Sequence, residues 1–188
     1  MATAARRLIT VEEFLRLEFD PEVKAELSNG VIHVVRMMGG GSSAHARVQG
    51  NIFAALFVKL QGSGCRPFGP DMTVRSHELS MRLPDVSVFC GKTTDREDET
   101  LIFDDPKMLV EVLSPSTMRE DQEVKLPEYM AIPSNDIILY VDPIAETVQL
   151  YQRDDRRAWS GGVLGQAAAI ELESFGIVLT WEEIFSRD

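Results

Sequence analysis

The stretch KMLVEVLS at residues 107–114 decides how the rest of the chain is read. Leu109, Val110, Val112 and Leu113 make it nearly continuous in apolar character, as in a central strand buried on both faces. Glu111 stands in the middle of that run. A carboxylate inside a buried strand is costly unless it is paired or bound to a metal. Alternation puts Glu111 on one face with Leu109 and Leu113, while Val110 and Val112 point the other way, so one side of the sheet can open to a cleft at that point. The local sequence equally allows an edge strand on which Glu111 is solvated.

Upstream, LPDVSVFC at 83–90 reads as the preceding strand, with Pro84 at its start, where proline is tolerated. Asp85 then lies at the head of a strand beside Glu111. Two carboxylates on neighbouring strands supply the hard oxygens that Mg²⁺ prefers, although a Pro-Asp pair alone is more often a turn. Downstream, a helix is predicted from Ser116 or Thr117 to about Met130, with Pro127 kinking it or starting a new turn. Asp121, Lys125 and Tyr129 recur at i, i+4, i+8 and share a face of that helix. An Asp-to-Lys pair at this spacing is ordinarily a surface ion pair of small energy.

Further out, Thr10 and Glu13 form a capping-box pattern at the start of a helix over 9–17. Asn29-Gly30 sits between two β-prone runs in ELSNGVIHVVRM, residues 26–37, and predicts a hairpin. A glycine-serine loop at 39–43 leads to a helical pattern at 45–61, on which Val48, Ile52, Ala55, Leu56 and Lys59 fall at helical spacing. The turn-rich Gly62–Pro70 segment precedes a strand in DMTVRS. A hairpin over 136–153, a late strand near 177–180 and a terminal helix WEEIF complete the series. His45, opening its helix, either meets a phosphate or caps the turn; His33 and His77 read as structural or exposed, and Met37 and Met38 as core filler. The order of elements predicts an α/β (α+β mixed) architecture, a mixed central sheet flanked by helices with an N-terminal β-hairpin. One domain over 1–188 is expected from the length.

Composition bounds the function. Hydrophobic residues at 44% and charged residues at 26% are those of a globular chain. No segment approaches the roughly 18 apolar residues of a membrane span, and no signal-peptide pattern opens the chain, so a cytoplasmic protein is expected. Cys65 and Cys90 have neither zinc-ligand nor disulfide-framework spacing, and read as packing residues in a reducing cytosol. The net charge of −11 points away from a protein that coats nucleic acid through a positive field, but not from a site whose carboxylates become locally cationic once they hold metal. The acidic run DREDE at 95–99 reads as solvated loop.

Taken together, ELSNG at 26–30, His45, PDVSV at 84–88, EVLSPST at 111–117, the Asp121–Lys125–Tyr129 helix and YVDP at 140–143 closely resemble the Uma2 family of restriction-endonuclease-like proteins. The match runs through nearly the whole chain. EVLSPST with the helix after it is specific; the Pro-Asp and Asn-Gly pairs are not. The resemblance implies a PD-(D/E)XK nuclease core in which Asp85 and Glu111 hold Mg²⁺ (or Mn²⁺) and Lys125 reaches the site from the following helix, Leu113 occupying the place of the usual lysine. It implies Glu26 as a further metal ligand, His45, Asp121 and Tyr129 as substrate-binding candidates, DNA as substrate and a homodimer as the assembly. On this reading Glu26, Asp85 and Glu111 converge on one cleft with Lys125 at its rim. The rival expectations are a catalytically silent nucleic-acid- or protein-binding module on the same fold, and a metal-dependent phosphoesterase acting on another substrate.

Overall fold

The computed structural model describes residues 7–20, 23–36, 42–91, 102–114, 121–166 and 169–187. The expected core-filling role of Met37 and Met38 and the DREDE loop lie outside these residues, as do the first residues of the helix expected after Ser116.

The N-terminal elements follow from local chemistry. Thr10 caps α1 (Val11–Phe14) through a complete capping box: Glu13 N donates to Thr10 Oγ1 at 3.2 Å and Thr10 N to Glu13 Oε2 at 3.0 Å. Strands β1 (Val23–Ser28) and β2 (Val31–Arg36) form the expected hairpin, turning at Asn29 and Gly30, whose φ values of 49° and 76° suit the Asn-Gly pair. Gly30 is also required by space, because a Cβ there would lie 2.6 Å from Leu8 Cβ. Ser42 caps α2 (Ser43–Lys59), so His45 sits inside the first turn and does not cap it.

Strands β3 (Cys65–Phe68), β4 (Thr73–His77), β5 (Ser80–Arg82), β6 (Val86–Cys90), β7 (Ile102–Phe103) and β8 (Met108–Val112) follow. A five-residue π-helical turn, Asp121–Lys125, then runs into α3 (Leu126–Ala131). Pro127 occupies the first turn of α3, where its missing N–H costs nothing, so it starts a new turn as anticipated. Strands β9 (Ile137–Asp142), β10 (Thr147–Arg153), β11 (Trp159–Leu164), β12 (Ile170–Leu172) and β13 (Ile177–Leu179) lead to the terminal helix α4 (Trp181–Phe185).

The strands form a six-stranded sheet in the order β11-β10-β9-β8-β6-β3, a five-stranded sheet β2-β1-β5-β4-β7 and the β12–β13 pair. The expected mixed sheet is the six-stranded one: β8 runs parallel to β9 and antiparallel to β6. Strand β8 is therefore central, and all five of its residues are buried. Its alternation divides the core as expected. Met108, Val110 and Val112 pack with Val48, Ile52 and Leu56 of α2, whereas Leu109 and Leu113 pack with Tyr129 and with Val74 and Phe103 of the five-stranded sheet. Glu111 lies on the second face.

Two expectations are overturned. The turn-rich segment after Gly62 contains β3, paired antiparallel with β6 so that Cys65 faces Cys90, and the two cysteines form a disulfide across 25 residues of sequence. They are not separate packing thiols, and they lend no support to a reducing compartment. The edge-strand alternative for Glu111 is also excluded, since β8 is paired on both sides and Glu111 is only 4% exposed. No helix among the described residues is long and apolar enough to cross a membrane.

Candidate functional site

Two groups of polar side chains meet at the C-terminal end of β8, beside the start of β6. The first is built on Asp85. The β6–β8 register pairs Val86 with Val110, and one further step brings Asp85 opposite Glu111. Pro84 and Asp85 end the approach to β6 so that the Asp85 carboxylate reaches over the neighbouring strand. Its Oδ2 accepts the Val112 N–H at 2.7 Å, and its Oδ1 lies 3.0 Å from His45 Nε2. Gln49, one turn beyond His45 on α2, donates to the Asp85 carbonyl at 3.0 Å. His45 and Asp85 keep 19% and 16% of their side-chain surface open to solvent, so this is the accessible side of the site.

The second group is buried. Glu111 Oε1 accepts from the Tyr129 hydroxyl at 2.6 Å and from Lys125 Nζ at 3.0 Å. Lys125 also faces Glu26 Oε1 at 3.7 Å, so its ammonium stands between carboxylates of β8 and β1. It is only 8% exposed, which places it inside the site and not at the expected rim. Burial, then the charges of Glu111 and Glu26, push the Tyr129 phenol well above its ordinary range, so it stays a neutral donor. The surface-pair reading of Lys125 fails with its burial. The side chain of Asp121, expected on the same face, lies outside the described residues.

Glu26 is held from behind. Leu83 N donates to its Oε1 at 3.0 Å and Arg82 Nη1 to its Oε2 at 3.2 Å. Arg82 is fully buried and turns its remaining donors to Glu128 of α3, at 2.8 Å from Nε and 2.9 Å from Nη2, and to Ser28 Oγ at 2.7 Å. Burial by itself lowers the Arg82 pKa, but the hydrogen bonds and charge of Glu128, with Glu26 behind them, override it and hold the guanidinium above its ordinary value. Gln49, Arg82 and Glu128 were not singled out from sequence. Gln49 carried a signal, at i+4 from His45, and Glu128 stands three residues after Lys125; Arg82 in MRLPD had none. His33 and His77 are exposed and outside both groups; His77 Nδ1 accepts from Leu79 N at 3.2 Å.

Asp85 and Glu111 offer hard carboxylate oxygens on adjacent strands, a donor set whose chemistry fits Mg²⁺ or Mn²⁺ retaining several waters. Among the described residues no three His, Cys, Asp or Glu side chains already gather closely enough to hold an ion. Glu26 in particular is committed to Arg82 and the Leu83 amide.

The mixed sheet, with paired acids across β6–β8 and a lysine from the helix after β8, defines a protein of the restriction-endonuclease-like class. Residues 11–182 match the Uma2 family, described as "putative restriction endonuclease", and the chain belongs to that family. It is similar to two uncharacterized proteins of Synechocystis sp. One is 28% identical over 94% of this chain and 91% of its own length; the other is 27% identical over 91% and 96%. Its fold matches the crystal structure of a protein from Anabaena variabilis described as a "putative nuclease belonging to DUF820", with a TM-score of 0.74, 22% identity, and coverage of 95% of this chain and 98% of that one.

Proposed function

We propose that the protein is a metal-dependent endonuclease that hydrolyses DNA phosphodiester bonds at the Asp85–Glu111 site. One observation carries the reading. Asp85 is tied to the peptide N–H directly after Glu111, and a buried lysine from the next helix is bonded to Glu111 itself. Asp85 and Glu111 hold Mg²⁺ or Mn²⁺, which when bound polarises a phosphoryl oxygen and makes a water nucleophilic at neutral pH. His45 orients Asp85 on the open side, where a phosphate can approach. Lys125 offsets the negative charge that develops on the phosphoryl oxygens as the water oxygen bonds to phosphorus and the P–O ester bond breaks. Tyr129 keeps Glu111 aimed by a hydrogen bond from its phenol, which burial and the neighbouring carboxylates hold neutral at ordinary pH. Glu26 partners Lys125 from β1. Cutting both strands of a duplex calls for two such sites, and hence two copies of the chain.

The net charge of −11 favours the second reading, a silent binding module, because a DNA-handling surface is ordinarily basic. Plasmid nicking with Mn²⁺ separates the two. Wild type nicks, Asp85→Asn loses metal affinity and nicking together, and Lys125→Ala loses about 100-fold or more in rate while still binding the ion. Equal nicking by all three preparations means contamination, and no nicking by wild type leaves the binding module.

A further inference from the structure

We propose that Arg82 and Glu128 are positioning residues: the clamp they form fixes the helical turn that carries Lys125 and Tyr129, and so sets the Lys125 ammonium at its place between Glu111 and Glu26. The catalytic consequence rests on the nuclease reading; the placement does not.

Helix α3 has little of its own to hold it in register. It is six residues long, it follows a π-helical turn, and no side chain at its N-cap position, Lys125, caps the backbone of its first turn. A helix this short is far below the length at which the backbone sustains itself in water. Its rotation must therefore come from tertiary contacts. Glu128 lies three residues after Lys125 and one before Tyr129, so a contact that fixes Glu128 fixes the direction of both neighbours.

The contact to Glu128 is the most directional available. Arg82 meets it with two parallel N–H···O bonds, and Ser80 Oγ and Ser76 Oγ add hydrogen bonds at 3.3 Å to its two oxygens. A planar guanidinium on a carboxylate fixes distance and angle together, as a lysine could not. The same guanidinium reaches Glu26, the second carboxylate facing Lys125. One fully buried side chain, three residues before Asp85, thus ties β1, β5 and α3 to each other.

Stability alone gives weak grounds for this arrangement. A buried ion pair pays heavily for desolvation, and well-packed apolar residues of similar volume commonly serve as well or better. An apolar contact between α3 and β5 would tolerate a small rotation or slide of the helix, whereas the fork does not. For a group that must meet a reacting phosphate, displacement by about 1 Å costs on the order of 100-fold in rate.

The test reads the Lys125 environment directly. The folded full-length chain is acetylated with trace acetic anhydride, and Lys125 is compared by mass spectrometry with Lys107, whose side chain is 40% exposed. In wild type Lys125 is strongly protected. Glu128→Gln keeps shape and one acceptor but removes the charge and half of the fork, and Arg82→Lys keeps charge but loses the fork. Each is expected to raise Lys125 acetylation relative to Lys107 by about 10-fold while retaining a cooperative thermal transition. A purely structural pair predicts lower melting temperatures with Lys125 as protected as before, and that result overturns the proposal. So does failure of both variants to fold. If wild type nicks DNA, both variants lose about 100-fold in kcat with calorimetric Mn²⁺ affinity unchanged. If wild type does not nick, the nuclease reading falls and the acetylation result still decides the placement.

Discussion

The Tyr129→Phe substitution isolates one bond in the buried half of the site. Phenylalanine fills the same space, so the substitution removes only the hydroxyl that donates to Glu111 Oε1 at 2.6 Å. Tyr129 is fully buried and Glu111 nearly so, and water cannot readily replace the donor. A hydrogen bond to a charged group contributes about 1.5–3 kcal/mol. For a chain of this size each kcal/mol moves the melting temperature by about 2–4 °C, so the expected drop is roughly 3–12 °C. Calorimetry gives the shift, and urea titration gives the free energy, with an unchanged slope showing that compactness is preserved. Tyr151→Phe is the control, since its hydroxyl makes only a 3.4 Å contact with Gln149 on a half-buried surface and its loss is expected to cost less than about 0.5 kcal/mol. If Tyr129→Phe is as mild as the control, Glu111 does not depend on the phenol and the account of the buried group is wrong.

Two further outcomes follow from features of the same structure. Burial and the Glu111 charge raise the folded-state pKa of Tyr129, so its contribution to stability is complete below the unfolded value of about 10 and is lost as pH climbs beyond it; the urea midpoints of wild type and Tyr129→Phe should therefore draw together as pH rises past about 10, and a constant gap contradicts the assignment. Reduction of the Cys65–Cys90 disulfide releases a 25-residue separation and should cost about 3.5 kcal/mol on the chain-entropy account; urea midpoints with and without dithiothreitol, beside a thiol count, test this, and two reactive thiols in untreated native protein would refute the cross-link.

What was legible in the sequence was whatever local chemistry or an incongruous residue marked. Thr10 with Glu13, and Asn29 with Gly30, announce a cap and a turn through backbone requirements met within four residues. Glu111 announced itself as a charge where only apolar side chains belong, and its burial against Lys125 and Tyr129 is the partner it demanded. Strand β5 was illegible because three residues, Ser80–Arg82, carry no periodicity, and their burial comes from β1 and β4 on either side. The Cys65–Cys90 pair was illegible for a related reason: spacing says nothing about two strands that lie adjacent only once β3 has joined the sheet. Arg82 was illegible because nothing local marks it as buried, and arginine is ordinarily a surface residue. Its partners Glu26 and Glu128 lie 56 and 46 residues away and become neighbours only in the finished fold.

Those separations bear on the order of events during folding. The β1–β2 hairpin and α2 close over short stretches and can form within microseconds, but the Arg82 contacts each require a loop of about fifty residues to be closed first, together with the parallel β8–β9 crossover. Until then five charged side chains, those of Glu26, Arg82, Glu111, Lys125 and Glu128, remain better solvated by water than by one another, and early collapse has no reason to draw them in. The polar interior therefore forms late, after the apolar packing of α2 on the six-stranded sheet. Substitutions at Arg82 and Glu128 should accelerate unfolding and leave the refolding rate nearly unchanged.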